Sequence, residues 1–125
     1  MHIKPTDGEL SFLQILWQRG PSTVKDIHRA MAGDRDLPYT TVLSALQAMH
    51  EKGLVRRDES SRQHVYHANL GEWKARNSLV EDLVTKAFKG SAMELVVHAL
   101  DSDQTTLEDL DRLRKLIAVK RSTLK

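Results

Sequence analysis

The chain of 125 residues is long enough for one domain, or for a compact module followed by a helical extension. Hydrophobic residues make up 40% and charged residues 29%, a balance typical of a chain that buries a core, and the lack of Cys excludes disulfide frameworks, thiolate metal sites and cysteine nucleophiles. The net charge is only +2, so any contact with nucleic acid must come from local placement of charge.

The first predicted helix covers residues 7–19. Thr6 and Glu9 form a capping box ahead of it, in which each side chain accepts a backbone N–H that the helix leaves unpaired. Gly20 and Pro21 end the helix, because proline cannot continue it. The apolar side chains that helical spacing places on one face are Leu10, Leu13 and Trp17.

Two more helices are predicted, separated by the turn sequence GDRDLP. The second is short, with N-cap oxygens from Ser22 and Thr23 and apolar positions at Val24, Ile27 and Met31. The third covers residues 38–52, because Pro38 suits a first helical turn and Gly53 can supply a left-handed C-cap. Its buried stripe is predicted to be Val42, Leu46 and Met49. Its opposite face carries short, polar or small side chains, namely Thr40, Thr41, Ser44, Gln47 and Ala48.

An alternating pattern replaces the helical one after Gly53. The segments LVRRD and QHVYHAN are predicted strands around the polar tip 59–62, which makes a β-hairpin. Three helices followed by a hairpin is the order of a winged helix, in which the second and third helices form a helix-turn-helix and the hairpin is the wing. The predicted class is therefore mainly α with a small β-hairpin wing, and residues 1–71 are predicted to form a winged helix-turn-helix DNA-binding domain.

The rest of the chain, residues 72–125, is predicted to be a helical dimerisation region. Two capping-box patterns, Ser91 with Glu94 and Thr105 with Glu108, open helices at about 92–100 and 106–121. These helices carry more apolar stripe than one short domain covers, so two copies are expected to cover each other. The alternative is that the stripe folds back onto the winged helix of the same subunit. The candidate dimer contacts are Leu79, Leu83, Val96, Leu110, Leu113 and Ile117.

The third helix suggests a function, because the major groove of DNA admits one α-helix. Its hydroxyls can bond bases or phosphates, and Gln47 can pair with adenine. Arg56, Arg57 and Arg62 on the hairpin are placed to meet phosphates or a minor groove. The alternative is that both surfaces are simply solvated, and the order of elements favours DNA reading. The candidate DNA contacts are Ser22, Thr23, Lys25, Tyr39, Thr40, Thr41, Ser44, Gln47, Arg57, Arg62 and His64.

The residues also carry a family resemblance. The segment LPYTTVLSALQAMHEKGLVRR resembles the recognition helix and following strand of BlaI/MecI-type penicillinase repressors, and residues 39–42 and 51–54 are its most diagnostic stretches. ELSFLQILWQRGPSTVKDI resembles the first two helices of that family. LVTKAFKGSAMELVVHAL and LEDLDRLRKLI resemble its C-terminal dimerisation helices, so the resemblance covers essentially the whole chain.

What the resemblance implies is a transcriptional repressor that acts as a homodimer on a palindromic operator in double-stranded DNA. It also implies relief of repression when a membrane metalloprotease sensor triggers cleavage of the repressor. The chain departs from the family at Ala48, where Arg is frequent, and at His98 and Ala99, which stand at the Asn-Phe cleavage pair. Copper-responsive relatives end in a Cys-rich motif, so copper sensing by that route is excluded. The alternatives are a ligand-gated winged-helix regulator and an interaction adaptor that binds no DNA.

No enzyme, cofactor or metal site is expected. His64 and His67 lie on opposite faces of a strand, and no carboxylate or Cys completes a metal set with them. Phosphate-cradling glycine loops and nucleophile motifs are missing, and Trp17 and Trp73 are expected to be core or interface anchors. The N-terminal residues have no apolar run of leader length, and no stretch reaches about 18 apolar residues. We therefore expect a cytoplasmic protein without membrane insertion.

Overall fold

The computed structural model describes residues 4–124, which form six helices and three short strands. In chain order these are α1 (Asp7–Arg19), β1 (Ser22–Thr23), α2 (Val24–Met31), α3 (Tyr39–Lys52), β2 (Val55–Asp58), β3 (Val65–Ala68), α4 (Glu72–Ala87), α5 (Ala92–Leu100) and α6 (Leu107–Thr123). They divide into two compact units, one that extends to Glu81 and one that starts at Asp82.

The helix boundaries in the first unit follow local capping signals. At the start of α1, the Glu9 N–H donates to Thr6 Oγ1 at 3.2 Å and the Thr6 N–H donates to Glu9 Oε1 at 2.9 Å, which confirms the predicted capping box. α3 begins one residue later than predicted, because Pro38 occupies the N-cap with extended backbone. Gly53 ends α3 in the left-handed conformation, with φ at 84°, as the sequence predicted.

One apolar core lies in the first unit and is built from helices, strands and the start of α4. Its buried side chains are Phe12, Leu13, Leu16, Val24, Ile27, Met31, Val42, Leu46, Met49, Leu54, Val55, Tyr66, Leu70 and Ala75. The stripe predicted for α3 is confirmed. The stripe predicted for α1 was partly wrong, because its buried face is centred on Phe12, Leu13 and Leu16, and Leu10 and Trp17 are only partly buried. Helical periodicity predicts how wide the apolar face of a helix is, but the elements packed against the helix decide which residues lie at the centre of its buried face.

The strands form one antiparallel sheet in the order β1-β3-β2. In the hairpin, Arg57 pairs with Tyr66 and Asp58 pairs with Val65, which confirms the predicted wing. The sequence did not predict β1, whose two residues pair with Tyr66 and Val65 on the other side of β3. The sheet therefore joins the start of α2 to the wing.

The base of the wing is closed by hydrogen bonds between its two ends. The carbonyl oxygen of Leu54 accepts the backbone N–H groups of Asn69 at 3.0 Å and Leu70 at 3.3 Å. The Asn69 side-chain amide donates to the carbonyl oxygen of Gly53 at 2.8 Å. Trp17 Nε1–H donates to the Leu70 carbonyl oxygen at 3.0 Å, which ties α1 to the same place. The wing therefore starts and ends at a fixed point on the core.

The second unit contains the end of α4, α5 and α6. Ser91 Oγ accepts the Glu94 N–H at 3.1 Å, in line with the predicted start of α5. α6 is capped by Thr106 with Asp109, so the predicted Thr105 and Glu108 pair was wrong by one residue. The Thr105 hydroxyl instead donates to the carbonyl oxygen of Ala99 at 3.1 Å, which removes it from the cap. From Asp82 to residue 124, no described side chain is buried.

Within residues 4–124, none of the helices combines the length and the apolar character that crossing a membrane requires.

Candidate nucleic-acid interface

The outer face of α3 is an open polar surface. Val42, Leu46 and Met49 have no exposed area and fix the rotation of the helix on the core. The opposite side chains are all exposed, namely Thr40, Thr41, Ser44, Gln47 and Ala48. Hydroxyls and an amide on one exposed helical face are the groups that hydrogen-bond base edges or phosphates in a major groove. The structure thus places the predicted reading residues of α3 together and leaves them accessible.

A groove of about 580 Å³ lies between the start of α2, α3 and the wing. Six of the predicted DNA contacts line it, which are Thr23, Lys25, Tyr39, Gln47, Arg62 and His64. These residues come from three separate parts of the chain and meet because β1 pairs with β3. The groove therefore extends the polar face of α3 into a surface that three elements share.

The groove is cationic. Lys25, Arg29 and Arg62 line it together with His28 and His64, and none of the described residues that line it is acidic. Lys25, Arg29 and Arg62 are exposed. A concave surface with one sign of charge raises the local concentration of anions, so this arrangement favours contact with phosphate groups.

Thr23 holds the α2 end of the groove in place. Its hydroxyl oxygen accepts the N–H of Asp26 at 3.2 Å, and the Asp26 carboxylate accepts the N–H of Thr23 at 3.3 Å. The backbone hydrogen bond from Thr23 is the main reason that the pKa of Asp26 lies below its ordinary value. The Thr23 hydroxyl keeps its own O–H as a donor, so it can still bond a phosphate oxygen.

An aromatic pair lies in the groove beside α3. The rings of His28 and Tyr39 are 5.8 Å apart and meet edge to face at 77°. His28 Nε2 lies 2.8 Å from the carbonyl oxygen of Leu37, which is consistent with donation from that nitrogen. The pair packs α2 against the first residue of α3 and leaves Tyr39 47% exposed. Tyr39 can therefore contribute its hydroxyl or its ring to a bound partner.

The arginines of the wing point to different environments. Arg57 is only 20% exposed in its side chain and lies 3.1 Å from a Glu59 carboxylate oxygen. Its hydrogen bond with the Tyr66 side chain and the charge of Glu59 raise the pKa of Arg57. Arg56 and Arg62 are exposed. The Arg57 guanidinium is therefore partly engaged by Glu59 and Tyr66 within the wing, and the exposed Arg56 side chain is more accessible to a phosphate group.

The candidate contact Ser22 is placed away from any partner. Its side chain is buried, with 4% exposure, and its hydroxyl donates to the carbonyl oxygen of Gly20 at 2.9 Å. Ser22 belongs to β1 and faces the core side of the sheet beside Tyr66. Its structural role is to hold the turn before α2.

Sequence reasoning did not predict six of the residues that line the groove, namely Val24, His28, Arg29, Leu43, Gln63 and Tyr66. Arg29 lies one helical turn after Lys25, and this spacing was a readable signal of a shared face. Leu43 was assigned beside the buried stripe, and it is partly buried at the edge of the core. His28 and Gln63 carry no pattern of their own, because their position depends on how α2 and the wing meet in space.

The predicted dimer contacts lie on apolar helical surface that the chain leaves accessible. Leu83, Val96, Leu110 and Ile117 are between 41% and 56% exposed, and Leu79 and Leu113 are partly buried. His98 and Ala99 are exposed in α5, and the His98 ring lies 5.3 Å from the ring of Phe88. Side chains that are apolar and this exposed suit contact with another surface.

Known transcriptional regulators are similar to this chain. The family model described as penicillinase repressor matches residues 5–119. The transcriptional regulator BlaI of Mycobacterium tuberculosis is 32% identical over 114 residues, which are 90% of this chain and 81% of that protein. The methicillin resistance regulatory protein MecI of Staphylococcus aureus is 16% identical over 112 residues, which are 90% of this chain and 91% of that protein. The solution structure of monomeric Bacillus licheniformis BlaI in complex with the blaP half-operator is also similar to this chain, with a TM-score of 0.51 at 18% identity. The match covers 59% of this chain and 90% of that chain, and over this part the two share the same fold.

Proposed function

This chain belongs to the penicillinase repressor family, and we propose that it is a cytoplasmic transcriptional repressor that binds operator DNA through α3. The observation that carries the proposal is the exposed hydroxyl and amide face of α3 beside a cationic groove. In this arrangement α3 enters the major groove, where Thr41 and Gln47 meet base edges. Lys25, Arg29 and Arg62 contact the flanking phosphates and fix the register of the protein on the duplex.

The repressor acts as a homodimer on a palindromic operator in this proposal. The support comes from the second unit, whose described side chains are all at least partly exposed although many of them are apolar. A two-fold axis through α4, α5 and α6 of two copies would cover this surface and present two copies of α3 to two half-sites. Sedimentation of the full chain tests the assembly. A monomer at micromolar concentration would contradict it.

Repression ends in this proposal by cleavage of the chain near His98 and Ala99, triggered by a membrane metalloprotease sensor. The resemblance to the family supports the position of the cut. The helix α5 has no buried side chain among its described residues, so local opening of this helix costs little and would admit a protease. A fragment that ends near His98 is expected in cells under inducing stress. A chain that stays full-length throughout a demonstrated induction would contradict cleavage.

A salt-titrated gel shift on the chain's own promoter region tests DNA binding, with an unrelated duplex of equal length as control. We expect tight binding to the promoter that weakens steeply as salt rises, because cationic side chains displace counterions from phosphates. Equal binding to both duplexes at every salt concentration would contradict a sequence-specific repressor. A complete lack of binding would favour the protein-interaction adaptor instead.

A further inference from the structure

The groove has an apolar component beside its cationic one. Its cations suit phosphate groups, but it is also lined by Leu43 and by Tyr39, which is 47% exposed, whereas Val24 and Tyr66 border it as buried core residues. A duplex presents mainly phosphates and sugars to the flank of a reading helix, and a flat aromatic ring would gain more from contact with Tyr39 and Leu43 than these groups do. The groove measures about 580 Å³, which is within the range of sites that enclose small organic ligands.

We propose that this groove is also an effector site for a small aromatic anion, such as a two-ring carboxylate, that competes with the operator. The inference rests on the proposed DNA binding, because the effector and the duplex share the same cations. It adds a reversible control of operator affinity to the irreversible one that cleavage provides.

The chemistry of the groove matches the two parts of such a ligand. A flat ring can pack against Tyr39 and Leu43, and it extends the edge-to-face contact that His28 and Tyr39 already make. The carboxylate can reach Lys25 or Arg29, which lie one helical turn apart on α2. None of the described residues that line the groove is acidic, so its lining side chains with a permanent charge are all cationic. A neutral ligand of the same shape can pack its ring in the groove but cannot form the ion pair with Lys25 or Arg29.

Competition follows from the shared cations. Lys25, Arg29 and Arg62 cannot neutralise a bound carboxylate and a DNA phosphate at once without weakening both contacts. An occupied groove also places a ring beside Gln47, a residue predicted to read the operator. Binding of the effector therefore lowers operator affinity, and by linkage the operator lowers effector affinity by the same factor.

Calorimetry of the full chain with 2-naphthoate tests the site, and neutral 2-naphthylmethanol is the matched control ligand. We expect 2-naphthoate to bind at least about tenfold more tightly, because only it pairs with the cations. Backbone amide NMR shifts should locate it at Lys25, Tyr39 and Arg62. Equal binding of the two ligands, no binding of 2-naphthoate, or shifts confined to α5 and α6 would overturn the proposal.

A Lys25→Ala, Arg29→Ala double variant should weaken 2-naphthoate binding about tenfold. Lys74→Ala is the matched control, because Lys74 is an exposed cation on α4 outside the groove, and it should leave the affinity unchanged. Equal losses in both variants would overturn the site.

Competition is measured by adding 2-naphthoate to the wild-type complex with promoter DNA in a gel shift. Release of the DNA is expected, and a complex that persists with the groove saturated would overturn the proposal. Binding to promoter DNA is measured in the absence of 2-naphthoate, and binding of 2-naphthoate is measured by calorimetry in the absence of DNA. Failure of operator binding is therefore distinguishable from failure of the effector site.

Discussion

The regions before and after Asp82 are built from similar amphipathic helices, but they differ in what covers their apolar side chains. Up to Glu81, helices α1 to α3 and the sheet bury one another, and Leu13, Ile27 and Leu46 have no exposed area. From Asp82 onward, Leu110, Leu116 and Ile117 remain between 45% and 56% exposed. Both regions carry apolar residues at helical spacing in the sequence. A stripe therefore shows that a helix has an apolar face, and only packing shows which surface covers it.

The largest expected effect comes from a core substitution in the first region. Leu46→Ala removes a side chain with no exposed area from the centre of α3. We expect a loss of about 2–5 kcal/mol in the free energy of unfolding, from lost burial and the cavity that remains. Urea unfolding measures it, and the loss should not change with protein concentration. A loss that disappears as the protein is concentrated would mean that the first region does not fold on its own contacts.

The next largest effect tests the second region. Leu113→Asp places a charge among the apolar side chains of α6, which are predicted to meet those of a second copy. We expect the dimer to separate and operator affinity to fall about a hundredfold, because the two half-sites are no longer bound together. Sedimentation and gel shifts measure the two effects. Lys115→Gln, at an exposed position on α6, changes the net charge by the same amount and is the control for charge alone. An unchanged sedimentation profile for Leu113→Asp would reject this interface.

Smaller effects are expected on the reading face of α3. Gln47→Ala and Thr41→Ala should each cost about 1–3 kcal/mol of operator binding if these groups contact bases, because each removes hydrogen bonds to a base edge. Neither should change stability much, since both side chains are exposed. Gln18→Ala, at an exposed position on α1, is the matched control. Gel shifts at fixed salt give the affinities, and equal losses in all three variants would contradict base reading by α3.

The smallest effect concerns an ion pair that joins α1 to the end of α3. Lys52 Nζ lies 2.6 Å from Glu9 Oε2, while Glu9 Oε1 accepts the N–H of Thr6. Burial raises the pKa of Glu9, but hydrogen bonds from Lys52 and Thr6 and the charge of Lys52 outweigh it, so the pKa lies below its ordinary value. The stabilisation is therefore present above the ordinary pKa and is lost as the pH falls through the lowered one.

Glu9→Gln should lower the free energy of unfolding by less than about 1 kcal/mol at neutral pH, since Lys52 is 55% exposed and water screens the pair. The difference from wild type should shrink in acid, where Glu9 is protonated. Lys86→Gln breaks a pair within one helix, with Asp82, and should cost less. Urea unfolding across pH measures both variants. A Glu9→Gln difference that grows in acid would contradict the lowered pKa.

Local signals explain most of what the sequence predicted correctly. The capping box at Thr6 and the left-handed Gly53 set helix ends through contacts a few residues apart, so they were readable directly. The strand β1 was missed because two residues give no periodicity, and it exists only through pairing with β3. The burial of Ser22 follows from that pairing. A prediction confined to local spacing therefore treated Ser22 as an open N-cap.

The groove shows the same limit at the candidate site. The exposed face of α3 follows from helical spacing, and it was predicted residue by residue. The convergence of Lys25, Arg62 and His64 depends on long-range strand pairing, and it brings in His28, which no sequence pattern marked. The domain boundary after Gly71 and the dimer contacts stay predictions.

Because the base of the wing is closed by hydrogen bonds, the tip of the wing and the helix α3 can change independently during evolution. Gly53 and Leu54 are bonded to Asn69 and Leu70, so the chain enters and leaves the hairpin at one anchored point. Insertions, deletions or charge changes between residues 59 and 63 then alter the tip without moving α3. In the proposed complex, preference for the DNA that flanks the bound site can drift at the tip, while the bases that α3 is proposed to read stay the same.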